Sequence, residues 1–522
     1  MTLNRAEGDL MAIDKVVVAL KSALRAKYGH AGLGHIDKAL RALISADRRR
    51  GLSTVVIHLD EADDMASYGG PAPEQPTPRD VKKAIDRIAT TAKPHYLLLL
   101  GGPDVMPMVP ITNPAYSGPE GDSDRHVPSD LPYACDAPYS TNPNRFLGPT
   151  RVVGRLPDLM GARKPTLLTQ LINAAARAQP RPRSEYQSSF ALSTAAWAKS
   201  TELSLTNTFG HARNLHTCPG KGPRWTDRQI APRVHFINCH GGDSVPEYYG
   251  QPVDQDEFPI AHHAKHLRGR VSAGTIVAAE CCYGAQLYDP ADAGGEQGIA
   301  LTYLEDGAAA VLGSTTIAYG PSEGNGSADL ICQFFIQNVL NGSSIGRAAL
   351  EARQKFAGAR THLDPYDLKT LMQFYLLGDP SAQPVSMSAH ALTRGKAFKK
   401  AFADVQDRTV RNLRRERLER EGQYLGKALP ALKPTKHRPS DKVAATLQAM
   451  TQETGLNGPL SQLSFEIVPS GRRPGPAAAR RVHVVKGRRQ VQVNGATMTR
   501  VVALVATEED GELIHVRRLH SR

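Results

Sequence analysis

A histidine and a cysteine each follow an apolar run, and together they could perform covalent catalysis. The first run covers residues 234–238 and is followed by His240, and the second covers residues 275–279 and is followed by Cys281. A thiol beside an imidazole is the minimum for acyl transfer, because the imidazole takes the thiol proton and the sulfur then attacks a carbonyl carbon. The pair therefore predicts the chemistry of a cysteine protease.

The elements around these two side chains must bring them together, since they lie far apart in the sequence. Both runs are short and rich in apolar residues, which is typical of buried strands. In a parallel α/β sheet, the residues just past the carboxyl ends of neighbouring strands share one crevice. Gly241 and Gly284 follow the reactive residues, and they allow sharp turns that direct backbone N–H groups at a developing oxyanion.

Strands alternate with helices along most of the chain, which predicts an α/β fold with a mainly parallel sheet. Helical periodicity covers residues near 12–28, 36–48, 163–178, 327–340 and 345–356. Further buried strands are expected at 53–59, 95–100, 190–194 and 308–312. Past residue 460 the pattern changes to short strands with hairpin turns such as Asn494-Gly495, which predicts a small, mainly β C-terminal module.

Length and charge predict several domains. A chain of 522 residues exceeds one hydrophobic core. The net charge of +13 is concentrated near the C-terminus, because residues 386–522 hold 26 Lys or Arg against 12 Asp or Glu. We therefore divide the chain into an N-terminal α/β non-catalytic subdomain (1–183), a catalytic subdomain (184–385), a basic helix and linker (386–440) and a basic β-rich module (441–522).

The composition indicates a cytoplasmic protein. The hydrophobic content of 41% and charged content of 22% are typical of globular chains. The first residues carry acids and no apolar core, so no secretory signal is expected, and no apolar stretch is long enough to span a bilayer. Six cysteines without a paired framework suit a reducing compartment.

The sequence resembles the caspase-like cysteine peptidases of clan CD, and among them it is most similar to the gingipain family. His240-Gly241 after one apolar run and Cys281-x-x-Gly284 after the next carry the resemblance. Further similar segments are residues 96–104, 129–133, 153–157, 307–315 and 378–380. The resemblance implies a caspase–haemoglobinase-like α/β/α sandwich of two adjacent subdomains, with His240 and Cys281 as a catalytic dyad.

Two cysteines compete for the role of nucleophile. The gingipain spacing Cys-x-x-Gly selects Cys281, whereas the caspase spacing Cys-x-Gly selects Cys282. We prefer Cys281, because the surrounding residues fit the gingipain pattern better. Glu280 precedes it and is either a paired acid or a group that orients the site.

The resemblance also implies where substrate binds. In this fold the strand after the nucleophile and its following loop border the specificity pocket, so Ser314, Thr315 and Thr316, and on to Tyr319 and Gly320, are expected peptide contacts. Members that cleave after Arg or Lys need a carboxylate in the pocket, and Asp136 is the candidate. Three other acids compete with it, namely Asp130, Asp243 and Asp289. The expected function is limited, regulatory proteolysis of protein substrates.

Other interpretations concern metals and partners. Six side chains could in principle bind zinc, but the paired Cys-x-x-Cys spacing is missing; they are His216, Cys218, Cys239, His240, Cys281 and Cys282. No cofactor motif is present, so we expect no organic cofactor, and the acidic residues 119–136 leave calcium possible. Alternatively, the chain is a caspase-like scaffold whose basic residues 386–522 bind nucleic acid or an acidic surface. An arginine-rich helix packed on its own domain explains the same residues, which are Arg411, Arg414, Arg415, Arg417 and Arg420.

Overall fold

The computed structural model describes most of the chain. The described residues are 13–118, 121–253, 255, 257–386, 408–454, 460–469, 479–493 and 496–522. The strands are β1 (Lys15–Ala19), β2 (Thr54–His58), β3 (Tyr96–Leu100), β4 (Val109–Thr112), β5 (His126–Ser129), β6 (Val153–Leu156), β7 (Arg181–Pro182), β8 (Phe190–Thr194), β9 (Leu215–Cys218), β10 (Val234–Asn238), β11 (His240–Gly241), β12 (Glu247–Tyr249), β13 (Ile260–His263), β14 (Ile276–Ala279), β15 (Ala310–Ser314), β16 (Tyr319–Gly320), β17 (Phe374–Leu377), β18 (Val385–Ser386), β19 (Ala431–Pro434), β20 (Ser461–Val468), β21 (Arg480–Val493), β22 (Ala496–Glu509) and β23 (Glu512–Ser521).

Helices lie between these strands. They are α1 (Lys21–Arg49), α2 (Ala62–Met65), α3 (Pro78–Ala92), α4 (Thr166–Arg177), α5 (Ala198–Phe209), α6 (Asp227–Ile230), α7 (Ile299–Glu305), α8 (Ser327–Leu340), α9 (Ile345–Gly358), α10 (Pro365–Gln373), α11 (Arg408–Ala428) and α12 (Asp441–Glu453). None of them is both long enough and apolar enough to cross a membrane.

One large sheet runs through the molecule, with the strand order β2-β1-β3-β6-β17-β15-β14-β10-β8-β9. Its neighbouring strands are parallel except at β15 and β17, which pair antiparallel. The sheet therefore consists of two parallel halves that run in opposite directions. β17 follows the second half in the chain but pairs with β6 of the first, so it joins the two halves.

Both faces of the sheet are buried. Alternate residues of β1 belong to different cores, with Val16 and Val18 in one and Val17 and Ala19 in the other. This alternation follows from the two-residue repeat of a strand and requires a layer of helices on each side. The predicted α/β/α sandwich is confirmed.

Two predicted elements were wrong. Residues 15–19 were expected in a helix, but they form the buried strand β1, and α1 begins only at Lys21. A continuous apolar run such as Val16–Val18 does not separate strand from helix by periodicity. A linker was expected within residues 386–440, but the last part of this range holds β19, which pairs with β20.

The C-terminal strands form a second sheet, with the order β16-β23-β22-β21-β20-β19. Its pairs are antiparallel, as predicted for this module. β16 follows β15 of the large sheet in the chain but pairs with β23, so this pairing connects the C-terminal sheet to the segment just after β15. Residues 387–407 and the predicted Asn494-Gly495 turn lie outside the described residues, and the proposed domain boundaries stay predictions.

Candidate active site

His240 lies just past the end of β10 and is almost fully buried. Its ring packs between those of Trp197 and Phe258, with centroids at 4.4 and 4.7 Å. Its Nε2 lies 2.9 Å from Oε1 of Gln251, whose own amide nitrogen donates to the carbonyl oxygen of Gln255. Because an amide oxygen can only accept, Nε2 carries the proton and Nδ1 has the lone pair.

The environment keeps this imidazole neutral. Burial lowers the pKa of His240 to about 3. The hydrogen bond with Gln251 raises this pKa, but by less than burial lowers it. A neutral imidazole with its lone pair on Nδ1 can accept a proton from a thiol.

The two candidate cysteines point into different surroundings. The Cys281 side chain is fully buried in the core with Cys239 and Tyr248, and burial raises its pKa well above the usual range. Cys282 belongs to the core on the other face of the sheet, where its Sγ accepts from the backbone N of Ala318 at 3.3 Å. Burial raises the pKa of Cys282 to about 12.

The turn after Cys282 is strained. Tyr283 adopts a φ of +52°, in the left-handed region that non-glycine residues rarely occupy. Its backbone N donates to the carbonyl of Thr316 and its hydroxyl to Asp124 at 2.8 Å, which holds it there. Strained residues of this kind cluster at functional sites.

Two backbone N–H groups converge beside Cys282. The amide nitrogens of Gly241 and Cys282 lie 3.4 and 3.1 Å from the carbonyl oxygen of Arg522, at the far end of the sequence. One donor comes from the residue after the histidine and the other from a candidate nucleophile. Paired donors on one carbonyl oxygen are the arrangement of an oxyanion hole.

The segment that reaches this point is extended and pairs with β16. The backbone N of Arg522 donates to the carbonyl of Ala318 at 2.9 Å. Ser521 and His520 then lie opposite Tyr319 and Gly320 in antiparallel register. A peptide substrate that binds by strand addition makes this same kind of main-chain contact.

The Arg522 side chain fills a closed pocket. Its Nη2 donates to Asp329 at 2.9 Å and to the carbonyl of Pro321 at 2.8 Å. The guanidinium carbon lies 4.4 Å from the ring centre of Trp197, in a cation–π contact. Gly320 leaves room for the guanidinium, because a Cβ there would lie 2.1 Å from Nη2.

Two acids sit at the bottom of this pocket. Asp329 lies in the first turn of α8 and also accepts from the Ser200 hydroxyl at 2.7 Å and the Gly326 amide at 3.2 Å. Burial, followed by the neighbouring charge of Asp329, raises the pKa of Glu280 well above its usual range. This shift favours the protonated form of Glu280, in which the pair presents one negative charge to one guanidinium.

The predicted substrate residues after β15 have a supporting position. Ser314 Oγ donates to the carbonyl of Cys281 at 2.7 Å, and the amide of Gly284 donates to the same oxygen at 3.0 Å. The hydroxyls of Thr315 and Thr316 bond to other parts of the protein and are buried. These residues hold the cysteine loop, whereas the paired contacts with the extended segment come from residues 318–320.

The structure does not bring Asp136 to this cleft. Its carboxylate accepts from Thr150 at 2.8 Å and pairs with Arg151 at 3.2 Å, at the rim of another surface cleft. Among its competitors, Asp130 is buried against Arg155. The role of Asp136 in substrate binding stays a prediction. Sequence reasoning missed Asp329, Trp197 and Gln251, because an acid in a helical first turn or an aromatic before a helix has no distinctive pattern.

The metal hypotheses gain no support from the geometry. Asp122 and Asp124 of the acidic loop are ion-paired with the Lys369 ammonium at 2.5 and 2.8 Å. Within the described ranges, no group of three or more His, Cys, Asp or Glu side chains is placed to hold a metal ion. All six cysteines are free and buried.

The basic helix α11 packs on the chain itself. Arg411 is buried and pairs with Asp14 at 3.1 Å, and Arg414 pairs with Glu351 at 2.8 Å. These internal ion pairs explain arginines that could otherwise have served an acidic partner. No observation supports binding of nucleic acid.

The fold and site define a class. A two-part α/β/α sandwich, with a histidine and cysteines at the ends of adjacent strands, is the caspase-like arrangement of a cysteine-type peptidase. Residues 240–385 match the family model described as "Peptidase family C25", the gingipain family. The predicted resemblance is confirmed over this segment, and the enzyme is a cysteine-type peptidase that acts on proteins or peptides.

The other comparisons add little. No curated protein matches the sequence. Seven solved chains match, and one of them, titled "Structure of Protease", is 13% identical with a TM-score of 0.44 over 98% of this chain and 99% of that chain. Values this low support no inference about fold or activity.

Proposed function

We propose that this chain is a cysteine endopeptidase that cleaves after arginine, with Cys282 as nucleophile and His240 as general base. The observation that carries the proposal is the pair of amides, from Gly241 and Cys282, on the carbonyl oxygen of Arg522. That carbonyl marks the position of the scissile carbonyl of a bound substrate.

The choice of Cys282 over Cys281 rests on two observations. The Cys282 amide is one of the two donors, so its own side chain starts beside the carbonyl carbon to be attacked. The Cys282 Sγ also contacts Ala318, whose carbonyl accepts from the Arg522 backbone, whereas the Cys281 side chain lies in the core with Cys239. Cys282 also fits the caspase-type spacing to Gly284, which was the alternative left open by the sequence.

The reaction then proceeds by acyl transfer. Nδ1 of His240 takes the Cys282 thiol proton while the sulfur attacks the carbonyl carbon, and the oxyanion accepts from Gly241 and Cys282. Collapse breaks the C–N bond, and the imidazolium returns the proton to the leaving amine. Water, activated by the same imidazole, cleaves the thioester and restores the thiol.

Arginine preference follows from the pocket around the Arg522 side chain. Asp329 supplies the charge, Trp197 supplies an aromatic face, and the Pro321 carbonyl accepts a further N–H. Both hydrogen bonds come from Nη2, and the preference for arginine over lysine rests on the guanidinium against the Trp197 face. A planar guanidinium stacks on aromatic rings, whereas a lysine ammonium is a compact, strongly hydrated charge. So narrow a pocket supports limited cleavage of few sites. A cytoplasmic location also stays a proposal, supported by the six free cysteines.

The test is a peptide-library cleavage assay on the parent, Cys282→Ala, Cys281→Ala and His240→Ala. We expect cleavage after arginine by the parent and Cys281→Ala, and losses of at least about 10³-fold in the other two, as dyads act as a unit. Loss in Cys281→Ala with activity in Cys282→Ala would reverse the assignment. Cleavage of library peptides after apolar residues would contradict the proposed preference for arginine.

A further inference from the structure

The substrate cleft holds a segment of the chain itself. Residues 519–522 are buried or half-buried there, and the Arg522 and Asp329 side chains are both completely inaccessible to solvent. The three parts of a substrate contact are all made by this segment: the carbonyl in the oxyanion hole, the main chain on β16, and the side chain in the pocket. The cleft is therefore closed to any other peptide while the segment stays.

The segment is held in place by more than the cleft. β23 pairs with β16 on one side and with β22 on the other, from Val502 opposite His520 onward. Upstream, Arg517 is ion-paired with Asp364 and, at 2.9 Å, with Asp367, beside the start of α10. These contacts keep residues 519–522 near the cleft even when they leave it.

The reactive groups are masked in this arrangement. Cys282 is 2% exposed, and its raised pKa keeps the thiol protonated near neutral pH. His240 is 2% exposed, and the Trp197 ring contacts both the His240 ring and the Arg522 guanidinium. A reagent or substrate reaches the thiol only after this covering segment moves.

On the basis of the proposed function, we propose that residues 519–522 are an intramolecular inhibitor, which holds the Arg522 side chain in the specificity pocket and the Arg522 carbonyl oxygen at the two amide donors. Arginyl substrates then bind only when this segment is displaced. A tethered segment at an effective concentration on the order of 1 mM, with a dissociation constant on the order of 0.1 mM, fills about nine-tenths of the clefts. Removing its anchor should therefore raise the rate about tenfold.

The experiment compares the full chain with Arg522→Ala, which removes the side chain from the pocket. Arg518→Ala is the matched control, because Arg518 lies on the same strand but pairs with Glu453 at the surface, at 3.4 Å. Two rates are measured for each protein. One is alkylation of Cys282 by iodoacetamide, located by fragment mass spectrometry, and the other is hydrolysis of an arginyl anilide.

We expect both rates to rise about tenfold in Arg522→Ala and to stay at the parent value in Arg518→Ala. The synthetic peptide Leu-His-Ser-Arg should slow Arg522→Ala again, and Leu-His-Ser-Ala should not. If circular dichroism shows that Arg522→Ala is unfolded, Arg522→Lys replaces it, with a smaller rise expected.

The outcomes separate the inhibitor from the proposed function. If Cys282 is alkylated faster in Arg522→Ala but none of the three proteins hydrolyses the arginyl anilide, the masking by residues 519–522 is supported and the proposed cleavage after arginine is overturned. Hydrolysis at one rate in all three proteins, with equal alkylation, would support the peptidase and overturn the inhibitor. Equal alkylation with no hydrolysis would overturn both.

Discussion

Each half of the central sheet is associated with a buried arginine and an aspartate, but the two pairs are built differently. In the first half, Arg155 belongs to β6 and holds Asp130 through two nitrogens, at 2.6 and 2.9 Å. In the second half, Asp329 meets Arg522 through one nitrogen, and that arginine comes from the end of a separate sheet. The first pair lies within the fold of one sheet, whereas the second joins an acid of α8 to an arginine of β23's segment that we propose is displaced by substrate.

This difference explains what each region does. The Arg155 guanidinium also donates to the carbonyls of Gly101 and Met106, so it ties together the loop after β3. Asp329 is positioned by Ser200 and Gly326, so it stays in place with or without its arginine. Under the proposed function, this carboxylate is held in advance to recognise the arginine of a substrate.

The largest effect is expected for Arg155→Ala. A buried charge that loses its partner costs about 3–5 kcal/mol. The Asp130 side chain is only 5% exposed, so water compensates little for the lost guanidinium. Urea denaturation should show this loss of stability, while Arg522→Ala should cost clearly less, because Asp329 keeps its other donors. Equal losses in the two variants would break the comparison.

Asp329→Asn should lower kcat/KM for arginyl substrates by about 10²-fold, since a hydrogen bond to a charged group contributes about 1.5–3 kcal/mol. Glu280→Gln is the matched control. The glutamine imitates the protonated acid, so kcat/KM should change by less than about threefold. A larger loss in Glu280→Gln would mean that Glu280 carries the charge.

Gln251→Ala should lower kcat about tenfold with little change in KM. Gln251 is a positioning residue that fixes the proton on Nε2 of His240, while Trp197 and Phe258 still hold the ring. The readout beyond rate is the pH profile, whose acidic limb should shift, and Gln251→Asn should restore part of the activity. An unchanged pH profile would reduce Gln251 to a packing role.

The smallest effect concerns pH and stability. Burial lowers the pKa of His235 to about 4, below its ordinary 6.5, so the folded state binds fewer protons than the unfolded state between these values. Stability from this group is present above pH 6.5 and is lost as pH falls toward 4, at about 1.4 kcal/mol per pH unit. His235→Gln should reduce the measured slope by about one proton. A slope equal to that of the parent would contradict the assignment.

The sequence predicted the sheet better than the cleft. β8 and β10 were placed at their observed bounds, because runs of about five residues with polar residues at their ends are too short for a helix. His240 and the paired cysteines were found for the same reason. Which of two adjacent cysteines faces the cleft depends on the turn at Tyr283, which spacing alone does not determine.

The arginine pocket could not be predicted from local patterns. Asp329, Trp197 and Arg522 are distant in sequence, and they meet only because β23 pairs with both β22 and β16. The basic C-terminal residues were interpreted by their overall charge, which gave no reason to single out Arg522. The proximity of these three residues is determined by long-range strand pairing, which the periodicity of a single segment does not indicate.

The most direct test is covalent trapping of the nucleophile. An acyloxymethyl ketone that carries arginine is incubated with Arg522→Ala at neutral pH, and the modified residue is located by fragment mass spectrometry. We predict a single adduct on Cys282, which disappears in His240→Ala and when excess arginyl substrate is present. An adduct on Cys281, or no adduct on either cysteine of the folded protein, would contradict the account.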